Sequence, residues 1–339
     1  MFGPDKLSGL NISAAADGLG VRGCVSACFK LSVKNGGMVF SDNAAVEIYE
    51  SDAKFGQTFY ISSRTVSSDK TVTELVCYDK MMFADKPYDY SGHVSADSDT
   101  AVKVSVGAVL TEIGSQLGVQ IGSVPFAGKQ LDLSQIKDKT CRQVLELLSE
   151  QNVGYWFITE NDAVEFGALG SYSMLLDVDK RSEFSGGTVK GPISRVIMTD
   201  SLDKKVYDTG GGTSVTSQVV VSAEDVSQEM AAAVLARVTG KSFDGYSCQA
   251  VFGGYARVYS GYQVDDDTVV IANTVSMALT AGGIFGSFGA NDVSEVEYDY
   301  GGFYSDALER RIAKNALYGM CSVDADKGFV FYDYKEAAT

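Results

Sequence analysis

The residues that could do chemistry in this chain are few. His93 is the only histidine, so it is the only imidazole that could act as a general acid or base near neutral pH. No serine or cysteine lies in a nucleophile motif such as G-x-S-x-G. We therefore interpret His93 as a polar residue of a connecting segment. The sequence predicts no catalytic residue and no enzyme activity.

Three acidic groups could bind a cation or act as paired carboxylates. Asp265–Asp267 precedes an apolar run, which is typical of a solvated turn. Asp324–Gly328 resembles half of a calcium loop, but its glycine comes one position early and no glutamate follows at the ligand position, so a hairpin turn is favoured. Glu160 and Glu165 bracket a predicted hairpin and lack the apolar cleft of a glycosidase pair.

The glycine and cysteine motifs also favour structural roles. Gly210–Gly212 lacks the Lys-Ser/Thr of a phosphate-binding loop, so we expect a flexible loop. Cys24 and Cys28 share strand parity and would lie ~13 Å apart at ~3.3 Å per residue, too far for a disulfide. No C-x-x-C pair occurs among the six cysteines. The sequence therefore predicts reduced, buried thiols, no metal site and no cofactor.

Composition describes the scaffold that carries these residues. A chain of 339 residues, 45% hydrophobic and 21% charged, is globular and suits two or three domains. Its 18 Tyr, 17 Phe and 36 Gly against 4 Pro favour many strands joined by glycine turns. The net charge of −16 argues against a surface that wraps DNA. It fits simple solubility, and it also fits a channel that DNA crosses without adhering, because like charges repel phosphate.

The sequence predicts neither a membrane span nor a signal peptide. It contains no run of about 18 apolar residues. Residues 1–6 lack a basic region followed by an apolar core. We expect synthesis and folding in the cytoplasm.

Residues 1–95 have the pattern of a β module. Two alternating strands between residues 57 and 78 flank the turn Ser67–Lys70, and a short apolar helical turn follows until Pro87. Ala44–Glu50 predicts a further strand. The pair Asn35-Gly36 predicts a hairpin after the strand Gly23–Val33.

Residues 96–170 predict a compact α+β insert. Apolar residues follow helical spacing up to Gly118, a typical C-cap, at Val106, Val109, Leu110, Ile113 and Leu117. A second helix begins at the capping box Thr140–Gln143. A hairpin over Gly154–Phe166 completes the insert.

Residues 171–302 return to the β pattern and form a second module. It contains a helix predicted at 224–238, capped by Ser222. Residues 303–339 predict a helix over Ser305–Leu317 and a final hairpin. The predicted fold class is α+β, mainly β, with two β modules separated by the small α+β insert.

The order of these elements resembles the baseplate hub family, the tail-tip structural proteins of tailed bacteriophages and related contractile injection systems. The motifs that carry the resemblance are Phe59–Thr65 with Cys77–Pro87, Val119–Gly122, Cys141–Phe166, and Val226–Arg237 before Tyr246. They lie within residues 55–90, 100–166 and 226–300. The glycine-rich segments 208–217 and 278–291 have no counterpart in that pattern.

The resemblance implies a non-enzymatic virion protein at the tail tip. Each chain would supply two tube-like β-barrels, and a homotrimer would form a ring that adapts the sixfold tail tube to a threefold tip. Its partners would be the tail tube, distal tail or baseplate proteins, a tip or spike protein and the tape measure protein. Genomic DNA would meet the ring only in passage, during ejection.

Aromatic residues dominate protein interfaces, which selects the tyrosine-rich strands with Tyr255, Tyr259 and Tyr262 as candidate contact surfaces. The predicted helix at 226–238 is a further candidate, with Val226 and Met230 as its contact residues. Two other functions are open at this point. The tyrosine-rich strands also suit a receptor- or carbohydrate-binding tail protein, which would bind glycans as an isolated chain. A cell-wall hydrolase of the tail tip would instead clear cell walls by itself.

Overall fold

The computed structural model describes residues 4–16, 23–34, 39–50, 52–93, 102–170, 173–175, 181–185, 188–190, 192–200, 204–212, 214, 218–223, 226–241, 243–244, 247–263, 269–289, 321–324 and 328–331. The chain divides into two units, Met1–Tyr298 and Asp299–Thr339. The predicted helix Ser305–Leu317 and the acidic run Asp265–Asp267 lie outside the described residues.

Strands dominate the described residues, which confirms the mainly β prediction. The strands are β1 (Leu7–Ala15), β2 (Ala27–Lys34), β3 (Ala45–Glu50), β4 (Ala53–Val66), β5 (Val72–Asp79), β6 (Lys103–Ser105), β7 (Gln130–Asp132), β8 (Tyr155–Ile158), β9 (Val164–Gly167), β10 (Ser173–Leu175), β11 (Arg181–Ser185), β12 (Thr188–Lys190), β13 (Arg195–Asp200), β14 (Val206–Gly210), β15 (Gln218–Ala223), β16 (Phe243–Asp244), β17 (Ser247–Phe252), β18 (Gly261–Gln263), β19 (Val269–Ile271), β20 (Thr274–Thr280), β21 (Gly283–Gly289), β22 (Cys321–Asp324) and β23 (Gly328–Phe331). The helices are α1 (Val106–Leu117), α2 (Leu133–Ile136), α3 (Cys141–Asn152) and α4 (Gln228–Val238), with 3₁₀ turns at Pro4–Lys6, Lys80–Asp85 and Ser91–His93.

One nine-stranded sheet combines strands from both predicted β modules. Its order is β11-β17-β21-β20-β1-β2-β5-β4-β3, and every neighbouring pair is antiparallel. The halves meet where β1 pairs with β20, with Ile12 opposite Met277. The sheet curls into a half-barrel. The division into two tube-like barrels, with boundaries at 95, 170 and 302, stays a prediction.

The hairpin predicted at Asn35-Gly36 is wrong. These two residues lie outside the described residues, but the strands on either side of them do not pair. Strand β2 lies between β1 and β5, whereas β3 lies at the sheet edge beside β4. An Asn-Gly pair favours a tight turn locally, but it does not determine which strands become neighbours.

The core of the sheet is a row of directly opposed side chains across five strands. Met277, Ile12, Phe29, Cys77 and Ile61 occupy successive positions on β20, β1, β2, β5 and β4, and each is at most 1% exposed. The Phe29 ring packs against Phe59 at a centroid distance of 5.2 Å. Burying one such large apolar side chain stabilises the fold by about 1.5–3 kcal/mol.

The α+β insert has its own core and follows its predicted start and stop signals. Helix α1 ends at Gly118, whose φ of 64° is the left-handed conformation that glycine adopts without strain. Helix α3 begins with the capping box of Thr140 and Gln143, in which each side chain bonds the other residue's backbone N–H. Both helices bury their apolar faces around Trp156 of β8, which is 0% exposed.

Helix α4 begins later than the sequence predicts. Strand β15 pairs in parallel with β13 as far as Ala223, so Ser222 lies in a strand and is not a helix cap. The cap is Ser227, whose hydroxyl accepts a hydrogen bond from the Met230 N–H. The helix then covers the three-stranded sheet β14-β13-β15 and ends at Val238, as predicted.

The remaining strands form small sheets, which are β10-β18-β19, β12-β16, β6-β7 and β8-β9. In the second unit, β22 and β23 form an antiparallel hairpin with Asp324 opposite Gly328. No described helix is long and apolar enough to span a membrane.

Candidate functional site

The tip of the β8–β9 hairpin is bound tightly to strand β4. The Asp162 carboxylate accepts hydrogen bonds from the Thr58 N–H at 2.6 Å, the Thr58 hydroxyl at 2.7 Å and the Lys54 ammonium at 2.6 Å. Burial acts to raise the pKa of Asp162, but the Lys54 and Thr58 donors outweigh it, and the pKa lies below its ordinary value. Asp162 therefore stays ionised and holds the insert against the sheet.

The same hairpin tip binds the segment 253–260 on its other side. Glu160 forms an ion pair with Arg257, with Nη2 at 2.9 Å from Oε1. The Arg257 guanidinium also lies over the Phe157 ring, 5.3 Å from its centroid. We call Lys54, Thr58, Glu160, Asp162 and Arg257 the hairpin junction, because they connect segments that the sequence assigns to the first module, the insert and the second module.

Asp79 fixes the point where strand β5 leaves the sheet. Its carboxylate is 1% exposed and accepts hydrogen bonds from the Ser26 hydroxyl at 2.8 Å, the Ala27 N–H at 2.7 Å and the Met81 N–H at 3.0 Å. The last bond caps the 3₁₀ turn Lys80–Asp85. Burial raises the pKa of Asp79 to about 6, although these donors act to lower it.

Asp79→Asn should change how stability depends on pH. The pKa of Asp79 in the folded chain, about 6, exceeds its ordinary value of 3.8, so the folded state binds the proton more tightly than the unfolded chain does. Protonation of Asp79 therefore stabilises the folded state by on the order of 3 kcal/mol. This stabilisation is fully present below about pH 4 and is lost as the pH rises through about 6. We expect urea unfolding between pH 4 and 7.5 to show that the free energy of unfolding of wild type falls relative to that of the variant as the pH rises. A difference between the two proteins that is independent of pH would contradict the assignment.

His93 belongs to a polar cluster between the 3₁₀ turn Ser91–His93 and helix α1. Its Nε2 lies 2.6 Å from Glu112 Oε2, and the Tyr88 hydroxyl donates to the same oxygen at 2.5 Å. The pKa of Tyr88 is raised, mainly by burial of its hydroxyl and secondly by the hydrogen bond to Glu112. Within the described part of the chain, the His93 imidazole contacts Tyr88 and Glu112, and neither is a serine or cysteine nucleophile. These hydrogen bonds to Glu112 hold the segment from Tyr88 to His93 against helix α1.

Five cysteines are free thiols, namely Cys24, Cys28, Cys77, Cys141 and Cys248. Burial raises the pKa of Cys77 to about 12 and that of Cys141 to about 11, so both thiols stay protonated at neutral pH. No group of three or more His, Cys, Asp or Glu side chains that could hold a metal ion occurs among the described residues.

The other motifs occupy turns and strand ends. Glu165 lies in β9 opposite Phe157, whereas Glu160 lies in the turn between β8 and β9 and pairs with Arg257. Gly210 ends β14 with a φ of 91°, a left-handed conformation. A Cβ atom at this position would clash with the Ser194 carbonyl oxygen. The position therefore accepts only glycine, and the glycine-rich loop begins after it.

The five predicted interface residues pack in or against the cores of the protomer. Tyr259 and Tyr262 are 1% and 0% exposed and belong to the core of the large sheet. Val226, just before helix α4, and Met230, on the helix, are buried in the core between α4 and its sheet. Tyr255 is partly buried against Phe55, at a ring-centroid distance of 5.8 Å. These side chains stabilise the protomer, and their contact with a partner stays a prediction.

The outer face of the sheet carries a row of uncharged side chains. Gln249, Ser287, Ser276, Ser13 and Cys28 are directly opposed across β17, β21, β20, β1 and β2. They alternate with the core positions along each strand. We call this row the polar row.

No protein-family model matches the sequence, and no curated protein matches it. Solved structures share its fold. The 43 kDa tail protein of prophage MuSo2 from Shewanella oneidensis superposes with a TM-score of 0.54 at 10% identity, over 84% of this chain and 94% of that chain. Prophage tail protein gp18 from Listeria monocytogenes EGD-e gives a TM-score of 0.51 at 11% identity, over 90% and 92%. The resemblance to phage tail proteins is thus confirmed at the level of the fold.

Proposed function

We propose that the chain is a structural protein of the distal end of a bacteriophage or phage-like tail, where it acts as a baseplate hub. The observation that carries the proposal is the shared fold with the MuSo2 tail protein, which extends over 84% of this chain and 94% of that one. A similarity that covers most of this chain and nearly all of the other favours a common architecture over a shared small module. The function would then depend on surfaces and symmetry, with no catalytic centre and no cofactor.

The proposed assembly is a homotrimeric ring. Strands β3 and β11 form the two ends of the nine-stranded sheet, and an open sheet edge exposes backbone groups that can pair with another chain. Strand β3 is mostly exposed, and its Tyr49 is 49% exposed. In a closed ring, neighbouring copies would cover these edges and hydrogen-bond their free backbone N–H and C=O groups. Such a ring also has the closed symmetry that most oligomers adopt.

The proposed ring surrounds a channel for DNA, lined by the outer face of the sheet. The five side chains of the polar row offer hydroxyl, amide and thiol groups, and the exposed Lys30 lies on the same face of β2, two positions from Cys28. The net charge of −16 adds repulsion between the protein and the phosphate backbone. DNA would pass during ejection without binding.

In this proposal the ring adapts a sixfold tail tube to a threefold tip. Its neighbours are the tail tube, other distal tail or baseplate proteins, a tip or spike protein and the tape measure protein. The protein therefore resides in the virion after its synthesis in the host cytoplasm.

An edge substitution tests the assembly. Tyr49→Lys places a charge on strand β3, where lysine opposes edge-to-edge pairing, and should weaken self-association at least tenfold as measured by light scattering across a dilution series. Val66→Lys is the matched control, because Val66 has the same 49% exposure but lies at the end of β4. Equal association of both variants and wild type would contradict the role of the β3 edge.

A further inference from the structure

A small cavity lies beside the hairpin junction, between strand β4, the end of β5, strand β8 and the segment 255–258. Its polar wall consists of Gln57, Asp79, Tyr255 and Arg257, and its apolar wall includes Tyr155 and Phe157. Its volume is about 30 Å³. A single water needs roughly 10–15 Å³ of such space, so the cavity has room for one or two water molecules and for no larger ligand.

Gln57 brings an unpaired acceptor to this cavity. The residue is 2% exposed, and its Nε2 donates to the Tyr255 hydroxyl oxygen at 2.8 Å. Its Oε1 is buried, and no group in the described part of the chain donates to it. An unsatisfied buried carbonyl oxygen destabilises a fold, so buried polar atoms are almost always hydrogen-bonded.

Tyr255 and Asp79 supply the complementary groups. The Tyr255 oxygen accepts the Gln57 hydrogen bond, which leaves the hydroxyl hydrogen free to be donated elsewhere. Asp79 accepts three hydrogen bonds, and a carboxylate has about four acceptor positions. Tyr255, Gln57 and Asp79 therefore present one donor and two acceptors to a space of molecular size.

We propose that an ordered water molecule occupies this cavity, donates hydrogen bonds to Gln57 Oε1 and to the Asp79 carboxylate, and accepts one from the Tyr255 hydroxyl. Three hydrogen bonds are typical of a buried structural water. The water connects strand β4, the end of β5 and the segment after β17. Gln57 and Tyr255, which meet at this site, lie almost 200 positions apart in the sequence. The water is a structural component of the fold beside the hairpin junction, and it does not depend on the proposed tail function.

A crystal structure at about 1.5 Å resolution tests the proposal on the wild-type chain. The expected result is a density peak 2.6–3.2 Å from both Gln57 Oε1 and the Tyr255 hydroxyl oxygen. A cavity without a peak, with Gln57 and Tyr255 well ordered around it, would overturn the proposal.

Variants identify the groups that hold the water. Gln57→Met keeps the length of the side chain but removes the amide, and its structure should lack the peak. Gln249→Met is the control, because Gln249 lies on the exposed outer face of the sheet, and its structure should retain the peak. A peak that is unchanged in Gln57→Met would contradict Gln57 as the acceptor. If Gln57→Met does not fold, the wild-type map alone decides.

Discussion

Trp156→Ala is expected to lower the free energy of unfolding by about 3–5 kcal/mol, the range for removing a fully buried tryptophan. Trp156 is 0% exposed and packs edge-on against Phe166 at a ring-centroid distance of 5.0 Å. Its Nε1–H donates to the Leu145 carbonyl of α3 at 2.7 Å. Alanine would leave a cavity where the hairpin β8–β9 meets both helices, and it would remove the hydrogen bond.

Trp156→Phe separates these two contributions. Phenylalanine retains most of the ring packing but loses the hydrogen bond, so the expected loss is about 1–2 kcal/mol. Trp156 is the only tryptophan, so urea unfolding should be followed by circular dichroism and not by fluorescence. A loss below about 1 kcal/mol for Trp156→Ala would contradict the role of Trp156 as the centre of the insert core.

Arg142→Gln is expected to lower the free energy of unfolding by about 3–5 kcal/mol, because it leaves the mostly buried carboxylate of Asp85 without its partner. Arg142 Nε donates to Asp85 Oδ1 at 2.6 Å, and Nη2 donates to the Met81 carbonyl at 2.8 Å. The side chains of the pair are only 11% and 14% exposed. The pair attaches helix α3 to the 3₁₀ turn after β5, and thereby the insert to the large sheet.

The double variant Arg142→Gln with Asp85→Asn tests whether the loss comes from an unpaired charge. Removing both charges should restore a large part of the stability, since two buried amides can hydrogen-bond without a charge to desolvate. Urea unfolding of the four proteins gives the coupling energy. A double variant less stable than Arg142→Gln alone would show that packing, and not charge, dominates at this position.

Local elements of this fold can be predicted from the sequence because their signals are local. Helix α1 follows the spacing of its apolar residues and stops at Gly118, where a left-handed φ is needed. Helix α3 starts at the Thr140–Gln143 capping box. Both signals act within one or two helical turns, so no knowledge of distant residues is needed.

Long-range pairing could not be predicted in the same way. The β1–β20 pairing joins residues about 265 positions apart, and nothing in either strand specifies this partner. The hairpin junction has the same character, because Lys54 and Thr58 meet Asp162 across more than 100 residues. Sequence patterning places an alternating strand in a sheet but does not order the strands.

The tyrosines show why interface residues could not be predicted from the sequence. Aromatic residues are enriched both in interfaces and in cores, so composition alone does not separate the two. Tyr262 stacks on Phe288 at a ring-centroid distance of 4.4 Å, and its hydroxyl donates to the Arg257 carbonyl at 2.6 Å. The buried ring and the satisfied hydroxyl make Tyr262 a core residue of the protomer.

The symmetry of the purified particle tests the central claim most directly. Light scattering should give a mass three times the 36.1 kDa of one chain, and electron microscopy of the same sample should show a threefold ring with an open axial channel. A monomer at micromolar concentration, or a particle without a central channel, would contradict a trimeric hub at the tail tip.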